Sequence, residues 1–139
     1  MTKLDELKQR IPDYARDLRI NLGVIGSSTA LSPAQAWTIA LTSAATTKSR
    51  ELIAAVEADA AAHLEPTALT AARGAAAIMG MNNVYYRFVH FMGDEGEYSH
   101  MPARLRMQVI GSPGIDKLDF ELACLAASAI AGCEACVRS

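Results

Sequence analysis

The chain has 139 residues, of which 51% are hydrophobic and 20% charged, and its formal net charge is −2. This length suits one domain, residues 1–139, and the charge lacks the basic excess typical of proteins that bind nucleic acid or membrane surfaces. The most apolar segment, residues 68–84, is interrupted by an arginine, two glycines and two asparagines, which argues against a membrane span. Because the N-terminus is also polar, we expect a soluble cytoplasmic protein.

Helix-start and helix-stop signals recur along the chain and predict an all-α fold. The clearest start is Ser32-Pro33-Ala34-Gln35, where serine caps the helix, proline takes its first position and glutamine can complete a capping box. Residues 82–91 suit a strand by composition, but no second strand candidate is present, so we predict a helix there too. The predicted helices span about residues 3–10, 12–22, 33–47, 50–60, 66–79, 82–91, 103–110 and 117–131.

Three further expectations concern the second half of the chain. The Asn82-Asn83 pair is a candidate helix break, and residues 93–100 are predicted to form a polar loop. Four aromatic residues have helical spacing for core or subunit packing: Tyr85, Tyr86, Phe88 and Phe91. On the last long helix we expect the core to be formed by the large apolar residues Leu118, Leu122, Leu125 and Ile130.

The motif most indicative of chemistry is Cys133-Glu134-Ala135-Cys136, directly after Gly132. A helix that starts at the glycine places both cysteines in its first turn, where unpaired N–H groups and the helix dipole favour thiolates. Two thiols at this spacing can also close into a small disulfide ring. The pattern is typical of a dithiol redox centre.

Two other interpretations of the cysteine pair stay open at this point. The cysteines can be small buried hydrophobes, or half of a zinc site that takes two further ligands from elsewhere. The remaining candidate ligands are dispersed, since Cys124 is alone and the histidines are His63, His90 and His100. We therefore predict no metal site, and we predict that Cys124 is a core residue.

Three charged residues lie near the motif: Glu121, Glu134 and Arg138. Glu121 precedes the cysteines in an increasingly apolar run, where a solvated helix face is the usual position of a glutamate. The functional alternative is a carboxylate that folds back beside the thiols as a proton acceptor. Glu134 is expected to face solvent, and Arg138 favours a thiolate only if its side chain folds back. Neither is assigned a catalytic role.

Several segments together resemble one known family. They are residues 74–87, Leu105-Arg106-Met107, Pro113-Gly114-Ile115, Phe120-Glu121-Leu122, Ser128-Ala129-Ile130, and Gly132-Cys133 with Cys136. On these residues the chain resembles the alkyl hydroperoxide reductase D family, a branch of the carboxymuconolactone decarboxylase-like superfamily. The likeness covers essentially the whole chain.

The resemblance implies an all-helical homotrimer with lipoyl-dependent antioxidant activity and no bound cofactor. Members of the family reduce hydroperoxides and return electrons to a partner peroxiredoxin, alkyl hydroperoxide reductase C. Dihydrolipoyl groups on a lipoylated 2-oxoacid dehydrogenase component supply those electrons. Family members also continue beyond the position of Ser139, with a relay histidine four residues after the second cysteine and further helices. We therefore expect a C-terminally incomplete domain.

The resemblance also implies a role for each of three residues. Cys136 matches the thiol that becomes a sulfenic acid. Cys133 matches the proton donor that then closes a disulfide with Cys136 and that can form a mixed disulfide with the peroxiredoxin. Glu121 matches the glutamate of the proton relay.

Two alternative functions compete with this one. A catalytically impaired fragment that acts only as a helical binding or assembly module predicts ordinary thiol reactivity. A decarboxylase-like enzyme acting on a lactone is disfavoured by the close cysteine pair, because that chemistry does not require a dithiol.

Overall fold

The computed structural model describes residues 1–93 and 95–139, and within these ranges it contains helices and no strand. The predicted all-α class is confirmed. The helices are α1 (Lys3–Gln9), α2 (Arg16–Leu22), α3 (Pro33–Thr46), α4 (Arg50–Ala60), α5 (Pro66–Phe91), α6 (Gln108–Gly111), α7 (Lys117–Ala131) and α8 (Glu134–Arg138), with short 3₁₀ turns at Asp13–Ala15 and Glu97–His100. None of the helices in the described part of the chain is long and apolar enough to cross a membrane.

Side-chain caps fix where the main helices begin. At α3, Gln35 N–H donates to Ser32 Oγ over 3.2 Å, and Ser32 N–H donates to the Gln35 side chain over 2.9 Å, which completes the predicted capping box. Ser49 caps α4, and Asp116 caps α7 by accepting from Leu118 N–H over 2.9 Å. Each such cap contributes about 1 kcal/mol to the stability of its helix.

The structure corrects the predicted helices at three places. Residues 12–22 are not one helix, since a 3₁₀ turn at Asp13–Ala15 precedes α2. Residues 103–110 are not one helix, because Arg104 has a φ of +52°, a left-handed conformation that a right-handed helix excludes. Only Gln108–Gly111 is helical there. Asn82 and Asn83 do not break a helix either, since α5 runs through them without interruption. The predicted loop at 93–100 contains the second 3₁₀ turn, and its residue Asp94 lies outside the described residues.

Within the described residues the core has two clusters, one between α1, α3, α4 and α5 and one between α5 and α7, and it is built largely from small side chains. Thr42 on α3 donates a buried hydrogen bond of 3.0 Å to the Ala72 carbonyl oxygen on α5. Such a contact needs two helix backbones close together, which alanine-rich faces allow. The buried residues of α5 and α7 include Ala71, Ala72, Ala75, Phe120, Ala123 and Ala127.

The predicted core face of α7 was wrong. Leu118, Leu125 and Ile130 are 60%, 43% and 50% exposed, and Leu122 is half-buried. The buried face instead carries Phe120 and the alanines that approach α5. Because α5 and α7 approach closely, only small side chains fit over most of their interface. The hydrophobicity of single residues does not indicate which face of α7 is buried.

We expect Ala75→Leu to lower the free energy of unfolding by about 1–3 kcal/mol, because the added atoms enter a packed interface. Ala75 is fully buried. The matched control is Ala77→Leu, which adds the same atoms to an exposed position on α5 and should change stability by less than about 0.5 kcal/mol. Urea unfolding followed by circular dichroism measures both. Equal effects at the two positions would contradict the packing of α5 described above.

Candidate active site

A left-handed glycine turns the chain from α7 into the cysteine motif. Gly132 has a φ of +65°, and its N–H donates to the Ala129 carbonyl oxygen over 3.2 Å. The next N–H, that of Cys133, donates to the Ser128 carbonyl oxygen over 3.1 Å. These two bonds satisfy carbonyl groups at the end of α7. A side chain at position 132 would be strained in this conformation, so the turn favours glycine.

The two cysteines occupy the start of α8, and in this structure they are joined by a disulfide. Their Cα atoms are 5.3 Å apart. Cys133 is the N-cap of the helix, and Cys136 N–H points at Cys133 Sγ over 3.4 Å. The helix begins at Glu134, two residues after Gly132, so both thiols lie at its N-terminus as the sequence predicts.

Burial makes the two sulfurs unequal. Cys133 is 0% exposed, whereas Cys136 is half-buried and lines a cavity of about 720 Å³. Cys136 Sγ lies 4.0 Å from the backbone oxygen of Asn82 on α5. A molecule that enters the cavity therefore meets the sulfur of Cys136, while that of Cys133 lies beneath the surface.

The cavity is formed by α5, α7, α8 and the segment around α6, and its wall is mostly apolar. This location explains why Leu118, Leu122 and Leu125 are absent from the core. The apolar lining residues are Met79, Tyr86, Met107, Ile110, Leu118, Phe120, Leu122, Leu125, Ala135 and Val137. Polar lining is supplied by Asn82, Glu121, Cys124, Ser128, Cys136 and Ser139.

Glu121 lies at this cavity as well, on an exposed part of α7. Its carboxylate is 53% exposed and lies 3.5 Å from Lys117 Nζ, one helical turn earlier. Glu121 therefore occupies the solvated helix face that is usual for a glutamate, and it also lines the cavity that Cys136 lines.

Cys124 is half-buried beside the same cavity and packs against the cluster of Ala71, Ala75, Phe120 and Ala123. Burial, with a smaller contribution from the negative charge of Glu121, raises the pKa of the Cys124 thiol to about 11. The thiol is therefore protonated at neutral pH and is a poor nucleophile.

A buried polar cluster joins α5 to the end of α7. Asn83 Nδ2 donates to the Ala127 carbonyl oxygen over 3.4 Å, and Asn83 Oδ1 lies 3.1 Å from the Ser128 hydroxyl. Arg87 donates to the Ala131 carbonyl oxygen. These bonds hold the turn of α7 that precedes Gly132. Sequence reasoning did not assign this role to Asn83, Arg87 or Ser128, although an asparagine inside an alanine-rich helix is a recognisable signal.

Asn82, the neighbour of Asn83, has no comparable partners. Its side-chain nitrogen lies 3.2 Å from Met107 Sδ and 4.0 Å from Met79 Sδ. Among the described residues nothing donates a hydrogen bond to its buried Oδ1 atom.

The charged residues around the motif lie on the solvent side. Glu134 is exposed, 3.7 Å from His90 Nε2 and 3.2 Å from Arg138. Arg138 is thus paired with Glu134. Within residues 1–93 and 95–139, no group of three or more histidine, cysteine, aspartate or glutamate residues is arranged to hold a metal ion.

Comparison with known proteins gives one consistent result. The profile of the Carboxymuconolactone decarboxylase family matches residues 96–139, which include α6, α7, α8 and both cysteines of the motif. Alkyl hydroperoxide reductase AhpD of Gluconacetobacter diazotrophicus is 53% identical over 136 residues, covering 98% of this chain and 74% of that protein. The protein of the same name from Rhodospirillum centenum is 50% identical over 136 residues, covering 98% of this chain and 73% of that protein. The chain belongs to the alkyl hydroperoxide reductase AhpD family.

Proposed function

We propose that this chain is an alkyl hydroperoxide reductase, a peroxidase-type oxidoreductase with an antioxidant role, whose redox centre is the Cys133–Cys136 dithiol. One observation carries the proposal: the dithiol presents a single sulfur, that of Cys136, to a mostly apolar cavity of about 720 Å³. This volume lies within the usual range for small-molecule sites. The apolar wall suits an organic hydroperoxide, and membership of the AhpD family supports the same reaction.

In the first step, Glu121 accepts the proton of the Cys136 thiol, and the resulting thiolate attacks the terminal oxygen of the hydroperoxide. The O–O bond breaks as the S–O bond forms, so Cys136 becomes a sulfenic acid and the peroxide is reduced. The departing alkoxide takes a proton from the Cys133 thiol and leaves as an alcohol.

In the second step, the Cys133 thiolate attacks the sulfenic sulfur of Cys136. The S–S bond forms, and hydroxide leaves as water with the proton held by Glu121. The Cys136 N–H, which points at Cys133 Sγ over 3.4 Å, stabilises negative charge on Cys133 before this attack. The short distance between the two residues favours disulfide closure over further oxidation of Cys136.

We propose a dihydrolipoyl group, carried by a lipoylated 2-oxoacid dehydrogenase component, as the reductant. One of its thiolates attacks Cys136 Sγ, the sulfur at the cavity, and Cys133 leaves as a thiolate stabilised by the same N–H. The second lipoyl thiol then closes the lipoyl disulfide and releases Cys136, and both protons pass to the cysteines. A slender aliphatic dithiol suits the mostly apolar cavity.

Regeneration of a partner peroxiredoxin, alkyl hydroperoxide reductase C, is the second part of the proposal. A mixed disulfide between that protein and Cys133 requires α8 to move, because Cys133 is fully buried. The helix has only five residues, so such a movement breaks few hydrogen bonds. We further propose a homotrimer, in which the exposed Val84, Phe88 and Phe91 of α5 supply apolar contact surface.

One equivalent of cumene hydroperoxide should convert both thiols of the motif to a disulfide, as read by alkylation and intact-mass spectrometry. Cys136→Ser should not react, whereas Cys133→Ser should stop at a sulfenic acid that dimedone traps. Cys124→Ser is the matched control and should behave as the unmodified chain, because the raised pKa of Cys124, about 11, keeps that thiol protonated. Unreactive thiols at positions 133 and 136 would instead favour the assembly-module alternative.

Glu121→Gln should slow oxidation by the hydroperoxide by roughly 10²-fold, the lower end of the usual contribution of a general base. Stopped-flow measurement of sulfenate and disulfide formation gives the rate. The control is Glu134→Gln, which removes an exposed carboxylate between the two cysteines and has no place in the proton path. Equal rates for Glu121→Gln and the unmodified chain would exclude Glu121 as the proton acceptor.

Reduction of the isolated disulfide should be faster with dihydrolipoamide than with glutathione at equal thiol concentration. The physical reason is that the second lipoyl thiol is held next to the mixed disulfide, which makes its release intramolecular. Quenched-flow alkylation measures both rates. If glutathione is as fast as dihydrolipoamide, the lipoyl part of the proposal is wrong, while the peroxidase part is unaffected.

A further inference from the structure

Asn82 has a side-chain amide that the fold does not use. The residue is 5% exposed in the interior of α5, and its Oδ1 lacks a hydrogen-bond donor among the residues described. A buried acceptor left in this way destabilises the folded state. The nitrogen of the amide contacts only the thioether sulfurs of Met107 and Met79, which are weak acceptors. If the oxygen and nitrogen were exchanged, the amide would still lack a strong partner at one end.

The adjacent Asn83 shows what a structural asparagine looks like in the same helix. Both ends of its amide are engaged by α7, through the Ala127 carbonyl oxygen and the Ser128 hydroxyl. Asparagine is also less favourable than alanine or leucine in a helix interior. The hydrogen bonds of Asn83 to α7 therefore explain why an asparagine stands at position 83 of α5. No comparable bond explains the asparagine at position 82.

Asn82 is placed beside the reactive sulfur. Its backbone oxygen lies 4.0 Å from Cys136 Sγ, and both residues line the same cavity. Two other polar groups there are already engaged: the Ser128 hydroxyl lies 3.1 Å from Asn83 Oδ1, and the Glu121 carboxylate lies 3.5 Å from Lys117 Nζ. A buried amide whose oxygen has no donor, in the cavity that also contains the attacking sulfur, is suited to a ligand that both donates and accepts hydrogen bonds.

We propose that Asn82 binds the hydroperoxide group of the substrate. A hydroperoxide, R–O–O–H, has one O–H donor and two acceptor oxygens, so one primary amide can pair with both ends of it. Asn82 Oδ1 accepts the O–H of the terminal oxygen, and Asn82 Nδ2 gives up its thioether contact to donate to the oxygen that bears the alkyl group. The apolar wall of the cavity takes that alkyl group. The inference rests on the peroxidase reaction proposed above.

This arrangement assigns the amide a chemical effect as well as a binding role. When the Cys136 thiolate attacks the terminal oxygen and the O–O bond breaks, negative charge develops on the alkyl-bearing oxygen. The Nδ2–H donor faces that oxygen and stabilises the charge until the Cys133 proton neutralises it. A preformed donor at the site of developing charge costs no reorganisation at the moment of reaction.

The test compares two reactions of the same thiol. Reduced chain is mixed with cumene hydroperoxide, and the rate of disulfide formation is measured. The rate of Cys136 alkylation by iodoacetamide, which needs the thiolate but no hydroperoxide, is measured in parallel. In Asn82→Leu and Asn82→Ala we expect hydroperoxide oxidation to slow by roughly tenfold to a hundredfold, while alkylation changes by less than about threefold.

Stability separates this role from a structural one. Asn82→Leu and Asn82→Ala remove a buried unpaired acceptor and raise helix propensity, so neither should lower the melting temperature. Leucine tests the loss of the amide at similar volume, and alanine tests it without crowding the cavity. Asn83→Leu is the matched control: it should lower the melting temperature and change both rates together.

Each other outcome overturns the proposal in a recognisable way. Hydroperoxide rates equal to those of the unmodified chain in both Asn82 variants would remove Asn82 and leave the peroxidase function standing. Equal losses of oxidation and alkylation would show that Asn82 only positions Cys136. If the unmodified chain alkylates normally and does not respond to cumene hydroperoxide, the proposed function fails together with this inference.

Discussion

The buried hydrogen bonds between Asn83 of α5 and the last turns of α7 are the constraint on which the site depends. They fix the carbonyl group of Ala127 and the side chain of Ser128, whose own carbonyl oxygen accepts the N–H of Cys133. In a low-dielectric interior, each of these polar groups is costly to leave unpaired. The direction in which the chain leaves α7 is therefore set by α5, one residue away from Asn82.

The turn at Gly132 makes the two cysteines unequal in their exposure. Two cysteines three residues apart would be nearly equivalent on an isolated peptide. Here the reversal at Gly132 buries Cys133 completely and leaves Cys136 at the cavity. Because α8 has only five residues, it is too short to be stable alone, and its position depends on the turn and on its packing against α5 and α7. The same short helix covers the sulfur of Cys133 and leaves that of Cys136 at the cavity.

How far the sequence predicts this arrangement depends on whether the signal is local. Caps such as Ser32 and Asp116 act within one helical turn, so the helix starts and the all-α class could be predicted. The position of the cysteine motif at the start of a helix could be predicted for the same reason. The conformation of Arg104 and the buried face of α7 are set by contacts between distant segments. Sequence reasoning therefore missed both of them. The unequal burial of the cysteines and the cavity beside Asn82 also require three helices in place, and no single segment encodes them.

The composition of α7 shows why the site and the core can coexist on one helix. Its small residues, Ala123 and Ala127, face α5 and allow close approach, while Leu118, Leu122 and Leu125 are left for the cavity wall. Full burial of a leucine side chain stabilises a fold by about 1.5–3 kcal/mol. Because these leucines are only partly buried, part of that stabilisation is lost, and the packing of the alanines against α5 has to compensate for it. An apolar ligand that covers that wall would recover part of this stability. An apolar wall beside one accessible sulfur and one unpartnered amide is what an organic hydroperoxide requires.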